Sequence, residues 1–410
     1  MIYMSASCDE TLKVNRLRLL GTSEMAMLQE VSSWFWKADH WLHNTTWDEI
    51  ENPPPGVYYP LGRDILLPSI AIAVILLGIR LVYDWILVVP FALCVGLNFK
   101  KQYTIEKNPT LEAAYAVDKY NDQTYAEELG KKTSLTGRQI QRWFRHRRSR
   151  EMPGRMKKFR ECSWYFLFYT ISFLSGLYIL WDKPFFWDTK YCWIGCSKHH
   201  VPNDLYWYYT IEMGFYWHML LMLMFDSKRK DFPELVVHHI VTVLLLYFSF
   251  VSNQLRIGSL VLILHDSNDF MMAPSKMANY AKKQVLAEYF FVVFFVVWLV
   301  SKLIIYPFWL VWSATFESLQ YIDRNSLTIA YWSLNSLLWV LQILHIIWTI
   351  LLSRIILSKF STDQKMKDVS EDTEDSSDEE EDDISKETDV ITNGSTNGLT
   401  RRPQTNGTRG

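Results

Sequence analysis

The chain contains little cysteine, five residues in 410. They are too few and too scattered for a disulfide framework, and they form no paired CxxC zinc site. The first thirty residues also lack the basic start, apolar core and small-residue cleavage site of a secretory signal peptide. Cys192 and Cys196 lie four residues apart in one predicted loop, where a local disulfide and two free thiols both remain open.

The chain has too few histidines for one class of membrane enzyme. Membrane di-iron enzymes use many histidines in repeated HxxxH and HxxHH boxes, whereas this chain has 10 histidines in all and no such box. Zinc held by His238, His265 and Asp269 stays open as an alternative, although their spacing gives it no specific support. We therefore expect neither a metal nor a cofactor.

Apolar and aromatic residues are abundant. The chain is 49% hydrophobic and 15% aromatic, with 18 tryptophans. Its formal charge of −2 hides an asymmetry, because ten of the thirteen residues Glu371–Asp383 are acidic. The remaining residues carry 42 Lys and Arg against 34 Asp and Glu, an excess of 8. The pattern indicates a basic membrane body with an acidic tail.

Hydropathy predicts an all-α polytopic membrane protein with about seven spans, taking roughly 20 residues as the length that crosses a bilayer. Helices are expected because each backbone polar group in lipid needs an internal partner. The fifth span is the least regular, since polar residues interrupt it. The predicted spans are Ile65–Tyr83, Ser163–Trp181, Leu205–Phe225, Leu235–Ser252, Ile257–Met272, Leu286–Leu310 and Leu327–Leu357.

Basic residues predict the orientation of the spans. They concentrate in residues 98–160 and in two short loops, so the positive-inside rule places the amino terminus in the lumen and the carboxyl terminus in the cytosol. Asn44 begins a sequon on the predicted lumenal side and is a glycosylation candidate. The tail after Lys359 is predicted to be disordered. Ser370, Ser376 and Ser377 lie among its acids and are phosphorylation candidates, although a merely solvated tail is the favoured interpretation.

Residues Leu111–Arg150 look like the back part of a homeodomain. Trp143 and Phe144 occupy the core-anchor positions of its third helix, and His146 stands where homeodomains carry their adenine-reading Asn. We therefore expect a structural or electrostatic role, toward anionic lipid head groups or a phosphorylated substrate. Sequence-specific DNA binding is not expected.

Ionisable residues inside the spans are the candidates for chemistry, because they are costly in a bilayer. His238 and His239 begin the fourth span, and His265, Asp266 and Asp269 lie in the fifth. Imidazole with carboxylate can move a proton near neutral pH. Neighbouring helix positions diverge by about 100°, so we expect one histidine of the pair to face the reaction centre. The two carboxylates share a face, and His265 is expected to point elsewhere.

Other polar residues receive simpler interpretations. Glu212 in the third span adds one more ionisable group. His218 and His345 stand alone on apolar helices and are interpreted as structural, and His199 lies in a polar loop and is expected to be solvated. The alternative for the whole set is that buried polar pairs only hold the helices together.

Four motifs, in order, resemble the Lag1 motif of ceramide synthases, and the similarity extends over about 31–359. The motifs are Asp226–Phe232, His238-His239, His265–Asp269 and Ser275–Tyr280. The resemblance implies an endoplasmic-reticulum enzyme that N-acylates sphinganine or another long-chain base with acyl-CoA, giving dihydroceramide. It also implies that the last six helices form a TLC-type bundle, and that the protein is a homodimer or pairs with other ceramide synthases.

The resemblance also implies roles for the candidate residues. His238 would be the reacting imidazole, able to form an acyl-imidazole, and Asp269 would orient it and balance its charge. His239, His265 and Asp266 would support them. We expect membrane lipids around the bundle, the CoA phosphates near three cations at the cytosolic side, and Glu212 in substrate binding. The three cations are Lys228, Arg229 and Lys230.

The predicted domains are a lumenal segment (1–64), a first transmembrane helix (65–85), a cytosolic Hox-like segment (98–152), a TLC catalytic domain (153–358) and the tail (359–410).

Ala273 replaces the family's Glu, and Pro274 is expected to kink the helix there. A catalytically weak lipid-sensing protein of the same fold is therefore the alternative, and a membrane-tethered transcription regulator is a third. Residues 316–326 are expected to set the acyl-chain length, with a weak similarity to members that favour palmitoyl.

Overall fold

The computed structural model describes residues 25–99, 107–118, 123–151, 154–227, 229–322 and 328–361, and all regular structure within these ranges is helical. Ser370, Ser376, Ser377 and Lys228 lie outside the described residues. The ten main helices are α1 (Gly62–Tyr83), α2 (Pro109–Val117), α3 (Gln123–Thr133), α4 (Gly137–Glu151), α5 (Arg155–Leu180), α6 (Asn203–Met222), α7 (Phe232–Val251), α8 (Leu255–Tyr280), α9 (Gln284–Trp298) and α10 (Ile329–Ser361).

Each of the seven predicted spans coincides with a long helix. Five of the described helices are long and apolar enough to cross a membrane: α1 with its extension to Cys94, α5, α7, α9 with its extension to Gln320, and α10. Helices α6 and α8 are continuous over 20 and 26 residues. Polar side chains such as Glu212 and Asp266 make them less apolar than the other five. The all-α, multi-pass membrane architecture is confirmed, whereas the count of seven spans stays a prediction.

Helices α2, α3 and α4 form a small separate core. Trp143 and Phe144 are buried in it together with Leu111 and Ile140, which confirms their predicted role as anchors. Arg147 of α4 forms ion pairs with Glu112 of α2 and with Glu151. His146 is half-buried on the same helix.

The main core lies among α5, α6, α7, α8, α10 and the helical continuation of α9, and it is rich in aromatic side chains such as Trp164, Phe215 and Tyr306. Close helix contacts require a small residue at Gly214. A Cβ there would lie 2.6 Å from Ile72 and 2.9 Å from the Ser69 carbonyl oxygen of α1. Glycine therefore allows α1 and α6 to pack directly against each other.

Three prolines lie inside long helices without ending them, and the first is Pro68 of α1. Helix α8 continues past Pro274 to Tyr280, and Ser275 donates a hydrogen bond to the carbonyl oxygen of Ala287 at 2.9 Å. Helix α9 continues as a π-helix over Leu299–Val311, which contains Pro307. Proline lacks an N–H for the regular ladder, and π-helical turns of this kind are frequent at functional sites.

Short helices cover the end of the bundle that is opposite to its basic loops. They are 25–35, Ala38–Trp41, Trp47–Glu51, Pro184–Trp187 and Thr189–Cys192. Trp41 stacks on Phe248 of α7 with ring centroids 4.7 Å apart. The backbone N–H of His43 donates to Ser197 at 3.0 Å, and Asn253 donates to the carbonyl oxygens of Ser197 and His199. Asn44 is exposed on this cover.

The prediction that His199 is solvated is wrong. Its side chain is 6% exposed, and its Nε2 lies 2.8 Å from the carbonyl oxygen of Ile194. Burial lowers the pKa of His199 to about 4. Cys192 and Cys196 are free thiols, and burial raises the pKa of Cys196 to about 11.

Candidate active site

A cavity of about 510 Å³ extends from the basic loops into the bundle, and we call it the wide cavity. Loop residues Arg229 and Lys230 line its mouth. Its inner wall carries apolar side chains of α9 and α10 and four of the predicted site residues. These four are His238, His239, His265 and Asp269. The fold therefore brings together side chains from two separate motifs.

Helix α7 starts at Phe232, with Pro233 in its first turn, where the missing N–H costs nothing. His238 and His239 follow one to two turns later. Both line the wide cavity, with ring centroids 5.3 Å apart, and which of them faces the reaction centre stays a prediction. The Nδ1 atom of each ring is buried without a hydrogen-bond partner, which leaves Nε2 as the nitrogen that can face the cavity.

His265 points away from Asp266, which contacts Ser172 of α5, but it lines the wide cavity, as Asp269 also does. Its ring lies 6.4 Å from that of His238. Its Nδ1 lies 2.7 Å from the carbonyl oxygen of Val261, and because a carbonyl only accepts, Nδ1 carries the proton. Nε2 of His265 then accepts from Nε2 of His345 at 3.1 Å. His345, interpreted from the sequence as an isolated structural residue, therefore belongs to the imidazole cluster.

The two carboxylates of α8 have different surroundings. Asp269 lines the wide cavity, whereas Asp266 is fully buried and accepts from the Ser172 hydroxyl of α5 at 2.6 Å. Glu212 contacts the same hydroxyl and lines neither cavity described here. The three-helix packing turns the Glu212 carboxyl toward Ser172, and its part in substrate binding stays a prediction.

Lys302 is the site residue that sequence reasoning missed. It lies in the π-helical part of α9, is 2% exposed and lines the wide cavity. Its Nζ has no hydrogen-bond partner among the described residues, but it interacts electrostatically with Asp269 and Asp266. The available signal was a lysine inside an apolar span, which is a functional candidate by the same rule that selected the histidines.

A second cavity of about 50 Å³, the narrow cavity, shares His265 with the wide one. Its walls are mostly apolar side chains of α7, α8 and α10, such as Leu246, Ile257 and Leu338. Trp193 and Ile322 also line it. Ile322 belongs to the segment expected to influence chain length, and residues 323–327 lie outside the described part.

Two further observations concern the lipid-sensing alternative and the zinc alternative. Ala273, in place of the family's Glu, forms part of the wall of the wide cavity. Within the ranges that the structure describes, no group of three or more His, Cys, Asp and Glu side chains has a metal-binding arrangement.

The chain matches two family models and several known proteins. A TLC domain family model matches residues 158–354, and a homeodomain model matches residues 99–152. Ceramide synthase 5 of Homo sapiens is 38% identical over 91% of this chain and 93% of its own. Ceramide synthase 4 of Homo sapiens is 36% identical over 91% and 94%. Ceramide synthase hyl-1 of Caenorhabditis elegans is 32% identical over 83% and 84%. The chain therefore belongs to the ceramide synthase family.

Proposed function

We propose that this chain is a ceramide synthase that transfers a fatty acyl group from acyl-CoA to the amine of sphinganine or another long-chain base. The relatives' names supply the reaction class. The observation that carries the proposal is the wide cavity, in which His238, His239, His265 and Asp269 meet behind a mouth lined by cations.

The reaction forms an amide C–N bond and breaks a thioester C–S bond. The attacking amine must lose a proton, and Nε2 of His238 either accepts that proton or first takes the acyl group itself. The proton finally goes to the sulfur of CoA, which leaves as the thiol. An imidazolium forms on the way, and Asp269 stabilises it while Lys302 balances the carboxylates.

The lining of the two cavities supports a separate position for each part of the substrate. Arg229 and Lys230 face the CoA phosphates at the mouth, where cations bind phosphate well, and Lys228 is the third predicted cation. The acyl chain follows the apolar walls of the narrow cavity, which favour its burial and must move apart to hold more than the first few carbons. We propose acyl-CoA as the co-substrate and expect no further cofactor. We place the protein in the endoplasmic-reticulum membrane with its carboxyl terminus in the cytosol, as a homodimer or heterodimer.

The test is N-acylation of sphinganine by membranes that contain the full chain, with a panel of acyl-CoA lengths. We expect dihydroceramide from wild type and a loss of about a hundredfold or more for His238→Ala. His218→Phe is the matched control, because His218 stacks on Phe215 and its ring nitrogens have no hydrogen-bond partners. This control should keep wild-type turnover.

A catalytically weak lipid-sensing protein is the second candidate, and Ala273 in the cavity wall is the observation that favours it. A folded wild type that binds acyl-CoA without forming product would support this candidate. Recovery of activity in Ala273→Glu would then identify the missing carboxylate as the cause.

A further inference from the structure

Four side chains make a continuous chain of contacts along the wall of the wide cavity. They run from the mouth to the imidazole cluster and are Arg229, Asp231, Trp348 and His238. Two of them, Asp231 and Trp348, have no role in the chemistry described above. Trp348 lies on α10, more than a hundred residues away in sequence from the other three.

Asp231 is the centre of this chain of contacts. It is 5% exposed, and its two carboxylate oxygens accept from Nε and a terminal nitrogen of Arg229, each at 2.9 Å. The indole N–H of Trp348 donates to the same carboxylate at 3.1 Å. The Asp231 carbonyl oxygen also accepts from the N–H of Leu235 in the first turn of α7. One residue therefore joins the mouth, the start of α7 and α10.

Trp348 connects the Asp231 carboxylate to the His238 ring. The two rings meet edge to face, with centroids 5.4 Å apart and planes at 76°. Nδ1 of His238 has no hydrogen-bond partner, so no polar contact from that side fixes the ring. Its orientation depends on packing, and a histidine that reacts usually needs an orienting neighbour.

We propose that Asp231 and Trp348 are positioning residues that hold the His238 ring in its reactive orientation and couple it to Arg229 at the cavity mouth. The inference rests on the proposed acyl transfer. It predicts that the Asp231–Trp348 hydrogen bond affects turnover more than substrate affinity, since neither residue needs to contact the acyl group.

The test measures kcat and KM for palmitoyl-CoA with the full-length protein in membranes. Trp348→Phe keeps an aromatic ring but removes the indole N–H, and Asp231→Asn keeps the size but removes the charge. We expect kcat to fall about tenfold in each variant, as for one lost charge-assisted hydrogen bond, and KM of Trp348→Phe to change by less than about twofold. The double variant should be no slower than the slower single variant.

The controls are Trp339→Phe on the exposed side of α10 and Asp204→Asn, whose carboxylate pairs with Lys183 at the other end of the bundle. Both should keep wild-type kinetics. Unchanged kcat in both test variants, multiplied losses in the double variant, or a loss of folded protein with normal kcat per folded molecule would each overturn the inference. A wild type that forms no dihydroceramide would instead refute the proposed function itself.

Discussion

The wide and narrow cavities share His265 and differ in composition. The wide cavity carries His238, Asp269 and Lys302 together with loop cations, whereas the narrow cavity is ten times smaller, mostly apolar, and apart from His265 has no ionisable group other than tyrosine among the described residues of its lining. Polar groups in a bilayer are retained for chemistry, and an apolar channel is suited to a hydrocarbon chain. On the proposed function, bond formation belongs to the wide cavity and chain recognition to the narrow one, so we expect that each can be changed without the other.

The largest loss of turnover is expected when the buried cation of the wide cavity, Lys302, is removed. Lys302→Met leaves Asp269 and Asp266 without their nearby cation, and a buried charge without a partner is costly. We expect turnover to fall about a hundredfold, measured as dihydroceramide formed per folded protein. Lys302→Arg keeps the charge and should keep most of the activity. Equal turnover in Met and Arg variants would show that the cation has no part in the reaction.

A smaller and more selective effect is expected in the narrow cavity. Leu338→Trp should fill the narrow cavity. An acyl chain that enters it would then overpack the site, which is unfavourable by about 1–3 kcal/mol. Turnover with palmitoyl-CoA should fall about tenfold, while short acyl-CoAs react as in wild type. Ile343→Trp, on an exposed position of α10, is the control. An equal loss at every chain length would remove the distinction between the two cavities.

The smallest effect concerns the cover at the narrow-cavity end. His199 is buried in it with a pKa near 4, whereas an unfolded histidine titrates near about 6.5. The unfolded state therefore binds more protons between these values, and stability falls as pH drops from about 6.5 toward 4. Thermal unfolding at pH 7 and pH 5 should show a Tm lower by a few degrees at pH 5. His199→Asn should reduce that pH dependence, and an unchanged dependence would exclude His199 as its source.

The sequence predicted the wide cavity better than the narrow one. His238, His239 and Asp269 stand out because ionisable residues are conspicuous in an apolar span, and the motif order carries the family resemblance. The facing direction of His265 was not predictable, because it depends on the position of His345 eighty residues later. Lys302 carried the same signal as the histidines and could have been found.

The pattern of apolar residues in the sequence did not predict the narrow cavity. Leu246, Ile257 and Leu338 look the same in sequence whether they face lipid, another helix or a cavity. Only the packing of α7, α8 and α10 separates these cases. Glu212 illustrates the same limit for a polar residue, since its burial against Ser172 depends on how three helices meet.

The division between the two cavities is tested most directly by locating the acyl chain. A palmitoyl-CoA analogue with a photoreactive group at its terminal carbon would be irradiated in membranes that contain the wild-type protein, and the labelled peptides sequenced. We expect labels on narrow-cavity residues such as Ile257 and Leu338, and competition by unlabelled palmitoyl-CoA. Labels confined to Phe291 and Leu351 of the wide cavity would contradict the account.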